Sequence, residues 1–122
     1  MYARGTAEIS AQLAIMAVSV LAIERVVAAL KADIASTLGT DHEWLVDQTV
    51  QRGLSFIDED AWFTRWLVEG VQQYFHDTFV DTTWPACPRH PNHPLWFEDG
   101  WWRCGSERIA KLGELASIRT SA

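Results

Sequence analysis

The sequence predicts a mainly α protein: a three-helix body led by one long heptad-patterned helix, then a small C-terminal β-hairpin and a short helix. Three observations predict it. The stretch from Thr6 to Leu38 lacks glycine and proline, two further apolar runs of helical spacing follow, and residues 87 to 104 gather both cysteines, two histidines and three tryptophans around an Asp-Gly turn signal. At 122 residues the chain holds a real core. It reads as a helical bundle and oligomerisation body over 1–83 and a hairpin module with a terminal helix over 84–122.

The first helix has Thr6 as N-cap and Gly39 as C-cap, and runs near 50 Å at about 1.5 Å per residue. Ile9, Leu13, Met16, Val20, Ile23, Val27, Leu30 and Ile34 alternate in steps of four and three, a heptad seam that wants a partner helix. Val20 and Val27, mid-seam, are the positions expected to meet that partner. Few charges flank the seam (Glu24, Lys31, Asp33), while Ala17, Ser19, Ala22 and Val26 widen its apolar face. Such a helix is either the spine of its own bundle or also a contact to copies or a larger partner.

"TDHE", 40 to 43, has the pattern of a capping box, so a second helix begins there and stops near Gly53, with His42 solvated in its first turn. The third helix is expected from Ser55 or Asp58, its early acids suiting the N-terminal dipole. Trp62, Phe63, Trp66, Leu67, Val71, Tyr74, Phe75 and Phe79 fall on its core face, with Arg65, Glu69, Gln72 and Asp77 outward. Pro85 then ends the helical region. Aromatic runs on either side of Asp99-Gly100 read as a hairpin, and Ser106 as the cap of a last helix carrying Ile109, Leu112 and Leu115.

Charge narrows the function classes. Residues 1–83 hold five Lys/Arg against twelve Asp/Glu, and residues 84–122 five against four. An acidic chain without a basic stripe makes nucleic-acid binding an unlikely role. The uncharged stretch Ile9 to Ile23 is fifteen residues, short of the ~20 that a membrane span needs, and Arg4 alone makes a thin signal-peptide basic region. A cytoplasmic protein, or a virion protein made in a cytoplasm, is expected.

The chemistry lies in the tail. Cys87-Pro-Arg-His90 has the spacing of a zinc knuckle, His93 follows three residues later, and Cys104 returns after the hairpin. Two thiolates and two imidazoles make a closed tetrahedral set for Zn²⁺, which makes the hairpin a zinc-bound one. A Cys87–Cys104 disulfide would leave both histidines unexplained and need an oxidising compartment. His93 is the least secure ligand, and a site completed by water or Asp99 would permit catalysis. Glu98 and Asp99 read more simply as turn residues than as a general base, and the His-x-Glu of a deaminase is absent, so no enzyme is expected. Trp84, Trp96, Phe97, Trp101 and Trp102 exceed what one loop buries. Trp96, Trp101 and Trp102 are therefore candidates for an aromatic surface toward a protein partner.

The segment "WPACPRHPNHPLW…WWRC", 84 to 104, resembles the C-terminal zinc-ribbon-type element of small proteins of actinobacteria and their bacteriophages, in which a CPxHxxHPL knuckle precedes a W-x-C return. The resemblance implies Cys87, His90, His93 and Cys104 as metal ligands and Trp102 as a packing residue. The second cysteine usual after the return is missing, Gly105 and Ser106 standing there, so His93 becomes the fourth ligand. The expected role is a non-enzymatic structural or assembly subunit, a virion component for a phage-like source. It would dock through its long helix and Trp-rich tail into a homo- or hetero-oligomer. The alternative is a zinc-module adaptor or regulator that binds nucleic acid.

Overall fold

The computed structural model describes residues 3–53 and 60–118, with side chains described at 21–53 and 62–118. Helix α1 runs Ala3–Leu38, 36 residues or about 54 Å, and stops at Gly39, whose φ is 90°. Of the seam, Ile23, Leu30 and Ile34 are buried and Val27 is partly buried against the same core. Val20 and the earlier seam positions lie outside the described side chains.

A 3₁₀ turn, Thr40–His42, leads into α2, Glu43–Gly53. The second helix is where the sequence puts it, but the capping box does not form. Gly39 takes the N-cap position and no side chain caps the turn. His42 is half-buried rather than solvated, its ring edge-on to Phe75 at 5.4 Å.

Helix α3 is Asp60–Asp77; its expected starts at Ser55 and Asp58 lie outside the described residues. Phe63, Leu67, Val71 and Phe75 are buried as their periodicity predicts, and Val68 joins them. Three positions depart from the expectation. Trp62, expected on the core face, is 46% exposed at the start of the helix. Phe79 is 82% exposed with φ 59°, because the helix has ended before it. Gln72 is buried, not outward, and its Nε2 donates to the carbonyls of Leu95 at 2.8 Å and Trp84 at 3.2 Å.

The tail is a three-stranded antiparallel meander of β1 (Trp96–Glu98), β2 (Trp101–Cys104) and β3 (Glu107–Lys111). Asp99 and Gly100 join the first two with φ of 53° and 83°, the paired positive dihedrals of a type I′ turn. The helix expected after Ser106 is instead β3. Of helix there remains one 3₁₀ turn, Leu115–Ser117. The chain reverses at Gly105, φ 60°, directly after β2, and β3 lays Ala110 against Trp102 while Glu107, Arg108 and Lys111 stay exposed. A register shift at Trp102/Arg103 takes Ile109 out of the alternation.

Body and tail share one apolar core, in which Leu30, Ile34, Phe75, Trp84, Phe97 and Trp102 are continuous. The tail is therefore a layer of the fold. Polar bonds fix its position. Trp84 packs edge-on to Phe75 and to Trp102, donates its indole N–H to Thr37 Oγ1 at 2.8 Å, and offers its carbonyl to Gln72 and His76. Since a carbonyl only accepts, His76 carries its proton on Nε2.

The strongest link is Asp33 on α1, fully buried. Its Oδ2 accepts from the Trp102 indole at 2.8 Å and the Gly113 amide at 2.7 Å, and its Oδ1 from the Leu115 amide at 2.9 Å. Burial raises its pKa, partly offset by those three donors. Gly113 admits this approach: its φ is 94°, and a β-carbon there would lie 2.9 Å from Ala29 Cβ.

Candidate metal centre

All four prolines of the chain stand at 85, 88, 91 and 94, fixing φ every third residue through the loop that carries the candidate ligands. Two contacts close the loop: Leu95 N–H donates to the Pro85 carbonyl at 2.6 Å and Cys87 N–H to the His93 carbonyl at 2.9 Å. Inside it, His90 N–H returns to the Cys87 carbonyl at 3.2 Å. That turn places Cys87 and His90 side by side. Strand β2 brings Cys104 to them from the other edge, and both cysteines are free thiols.

The two Sγ atoms lie 3.0 Å apart, and His90 Nδ1 is 3.8 Å from Cys87 Sγ and 3.6 Å from Cys104 Sγ. These three side chains form a group able to hold a metal ion, with ligand atoms within 4.8 Å of one another. Metal–sulfur bonds of about 2.3 Å and metal–nitrogen bonds of about 2.0 Å in a tetrahedron separate ligand atoms by roughly 3.5–3.8 Å. The two sulfur–nitrogen distances already fit, and the sulfurs would part by about 0.7 Å.

Electrostatics favour a cation here. Burial pushes the Cys87 thiol up. The Cys104 thiol, His90 and the backbone N–H groups of Arg89 and His90 outweigh it and bring Cys87 down to about 7. The same contact to Cys87, with burial, pushes Cys104 up. The first thiolate therefore opposes the second, and a cation beside the sulfurs would favour the ionised form of both.

His93 is not part of this group. Its ring is exposed, with its centroid 6.2 Å from that of His90, and its backbone serves the loop by accepting from Cys87 and donating to the His90 carbonyl at 2.9 Å. Asp99, the other expected candidate, is in the β1–β2 turn at the far end of β2 from Cys104. The carboxylate nearest in register is Glu107, opposite Cys104, and it is held in a two-pronged ion pair with Arg89. That pair ties the knuckle to the β2–β3 turn. A cleft of about 580 Å³ reaches Cys87 from the side of Trp84, Pro88 and Leu115; its one acid, Asp81, accepts from Thr83 N–H and Oγ1.

The expected aromatic surface divides three ways. Trp96 is 64% exposed, and Trp101 is half-buried beneath Arg108 and Lys111. Trp102 is wholly buried on Asp33, so it belongs to the core and not to a partner surface. Of the long-helix candidates, Val27 packs on the core and the side chain of Val20 is outside the described residues. Among the described residues no helix is long and apolar enough to cross a membrane. Compared with protein-family profiles, with curated proteins and with solved structures, the chain finds no match.

Proposed function

We propose that Cys87, His90 and Cys104 hold one Zn²⁺, with His93 turning its exposed ring to the fourth position, in a non-enzymatic assembly subunit. The Cys87–His90–Cys104 cluster carries this reading. Two thiolates with imidazole are the donor set zinc prefers, and the acid opposite Cys104, Glu107, is engaged by Arg89 rather than turned to a water. The ion clips the proline-rich loop to the end of β2. It presents a fixed, aromatic-edged tail, the element that resembles the actinobacterial and phage proteins, on an acidic helical body; for a phage-like source this is a virion component. The length of α1, about twice that of α3, supports the further reading that its N-terminal half and its heptad seam meet a second copy or a partner helix.

Native mass spectrometry tests both parts together. One zinc per chain and a copy number above one are expected; a metal-free monomer overturns the proposal. Val20→Asp should lower the copy number or melt the bundle, since it strands a carboxylate mid-seam, and Ser10→Asp in the first turn should do neither. Equal tolerance of the two removes the seam.

Chelation is expected to release the 85–94 loop while leaving the helices and the sheet in place, because Phe97, Trp102 and Asp33 anchor the strands independently of the metal. Hydrogen exchange read with far-ultraviolet circular dichroism checks this. Protection should fall at Cys87, His90 and His93, whose amides close the loop, with little change in helical signal. Loss of the helices would show the metal to be a condition of the whole fold.

A further inference from the structure

We propose that the outward face of the β1–β2–β3 sheet binds single-stranded nucleic acid, a base stacking on Trp96 and phosphates meeting Arg103, Arg108 and Lys111. This goes beyond the zinc reading and uses none of its ligands. Residues opposite each other in an antiparallel pair share a face. The register puts Trp96, Arg103 and Arg108 in one row across the sheet, and Glu98, Trp101 and Lys111 in the next. Phe97, Trp102 and Ala110 occupy the other face and are buried. The outward face thus carries two indoles, three cations and one carboxylate at its edge.

Strand β3 creates this array. It brings the Arg108 guanidinium to 5.1 Å and the Lys111 ammonium to 5.6 Å from the centroid of Trp101. Cations set beside an exposed ring, here Trp96, are what a single-strand platform needs, and Trp101 holds two of those cations on this face. Arg108 and Lys111 are exposed, and Arg103 is half-buried beside them. Among the described residues none of the three is in an ion pair, and the buried Nε of Arg103 has no hydrogen-bond partner. Arg89 is different, being neutralised by Glu107.

Charge complementarity selects the ligand. With twelve acids against five bases in residues 1–83, an anionic strand is repelled from the helical body and steered toward this face. The open Trp96 ring selects within that class, because a base lies flat on an indole only when it is unstacked. An acidic protein segment would satisfy the cations and leave Trp96 without a flat partner.

The test uses the full-length zinc-loaded chain and the fluorescence anisotropy of a labelled oligothymidine, with variants matched by circular dichroism. Binding should weaken with salt at a logarithmic slope of about −2, from three phosphate contacts on a single strand. Trp96→Ala should weaken it by about tenfold. The double variant Arg108→Glu, Lys111→Glu should abolish it, whereas Trp44→Ala, removing an exposed indole on α2, should leave it unchanged. Absence of binding at low salt overturns the proposal, as does an equal loss with Trp44→Ala. So does polyglutamate binding the wild type as tightly as the oligonucleotide, which would assign the face to an acidic protein partner.

Discussion

Asp33→Ala is expected to destabilise the fold by about 4 kcal/mol, the largest effect of any polar substitution in the described structure. The substitution leaves three buried donors without an acceptor: the Trp102 indole, the Gly113 amide and the Leu115 amide. Each orphaned donor costs roughly 1–3 kcal/mol, reduced where water enters. Asp33→Asn separates hydrogen bonding from charge. Its one oxygen can serve two of the donors, but its NH₂ then faces the third, so about half of the loss should return. Urea unfolding of the three proteins checks the order wild type, Asn, Ala. Equal stability of Ala and Asn would mean that Asp33 acts by its charge.

The same residue predicts a pH dependence. Burial raises the folded pKa of Asp33 above the ordinary carboxylate range, so at pH values between the two the folded chain binds more proton than the unfolded one. Stability from this group is then greatest below the unfolded value and falls as pH rises through the folded one. The gap between wild type and Asp33→Asn should therefore be widest in acid and narrow toward neutrality. A gap that widens with pH would show the three donors to outweigh burial.

How much of this was legible in the sequence follows from how far apart the interacting groups are. The helices were readable because their apolar residues repeat locally: Leu30 with Ile34, and Phe63, Leu67, Val71 and Phe75, are buried on schedule. Asp99-Gly100 names its own turn, and Cys87, His90 and Cys104 converge because a knuckle and a hairpin are both short-range devices. Asp33 and Gln72 were not readable. A lone carboxylate beside a heptad seam looks solvated until donors 69, 80 and 82 residues away arrive, and Gln72 looks outward until Leu95, 23 residues on, closes over it. The last strand was misread for a related reason. Ile109, Leu112 and Leu115 at spacings of three suit a helix, and only the reversal at Gly105 and the pairing to β2 override them. The cationic face is hidden for the same reason, since a helix there would carry Arg108 and Lys111 away from the sheet.

Trp84→Ala should come close to Asp33→Ala in size, at about 4 kcal/mol, by a different route. Trp84 stands where the body meets the tail, wholly buried between Phe75 at 5.1 Å and Trp102 at 5.5 Å. Truncation opens a cavity that neither α1 nor α3 can collapse to fill, because Asp33 and Gln72 hold the strands at a fixed distance; large aromatic deletions of this kind cost roughly 3–5 kcal/mol. For a domain of this length the midpoint of thermal unfolding should fall by about 15 °C. Trp84→Phe keeps most of the ring volume and removes the indole donor to Thr37, so it should cost about 1–2 kcal/mol. Differential scanning calorimetry of the three proteins measures the series. If body and tail unfold as one unit, each variant shows a single transition at a lower temperature. A second transition that appears only in Trp84→Ala, with the helical signal surviving the first, would mean that the residue welds two otherwise independent units and that the shared core depends on this one ring.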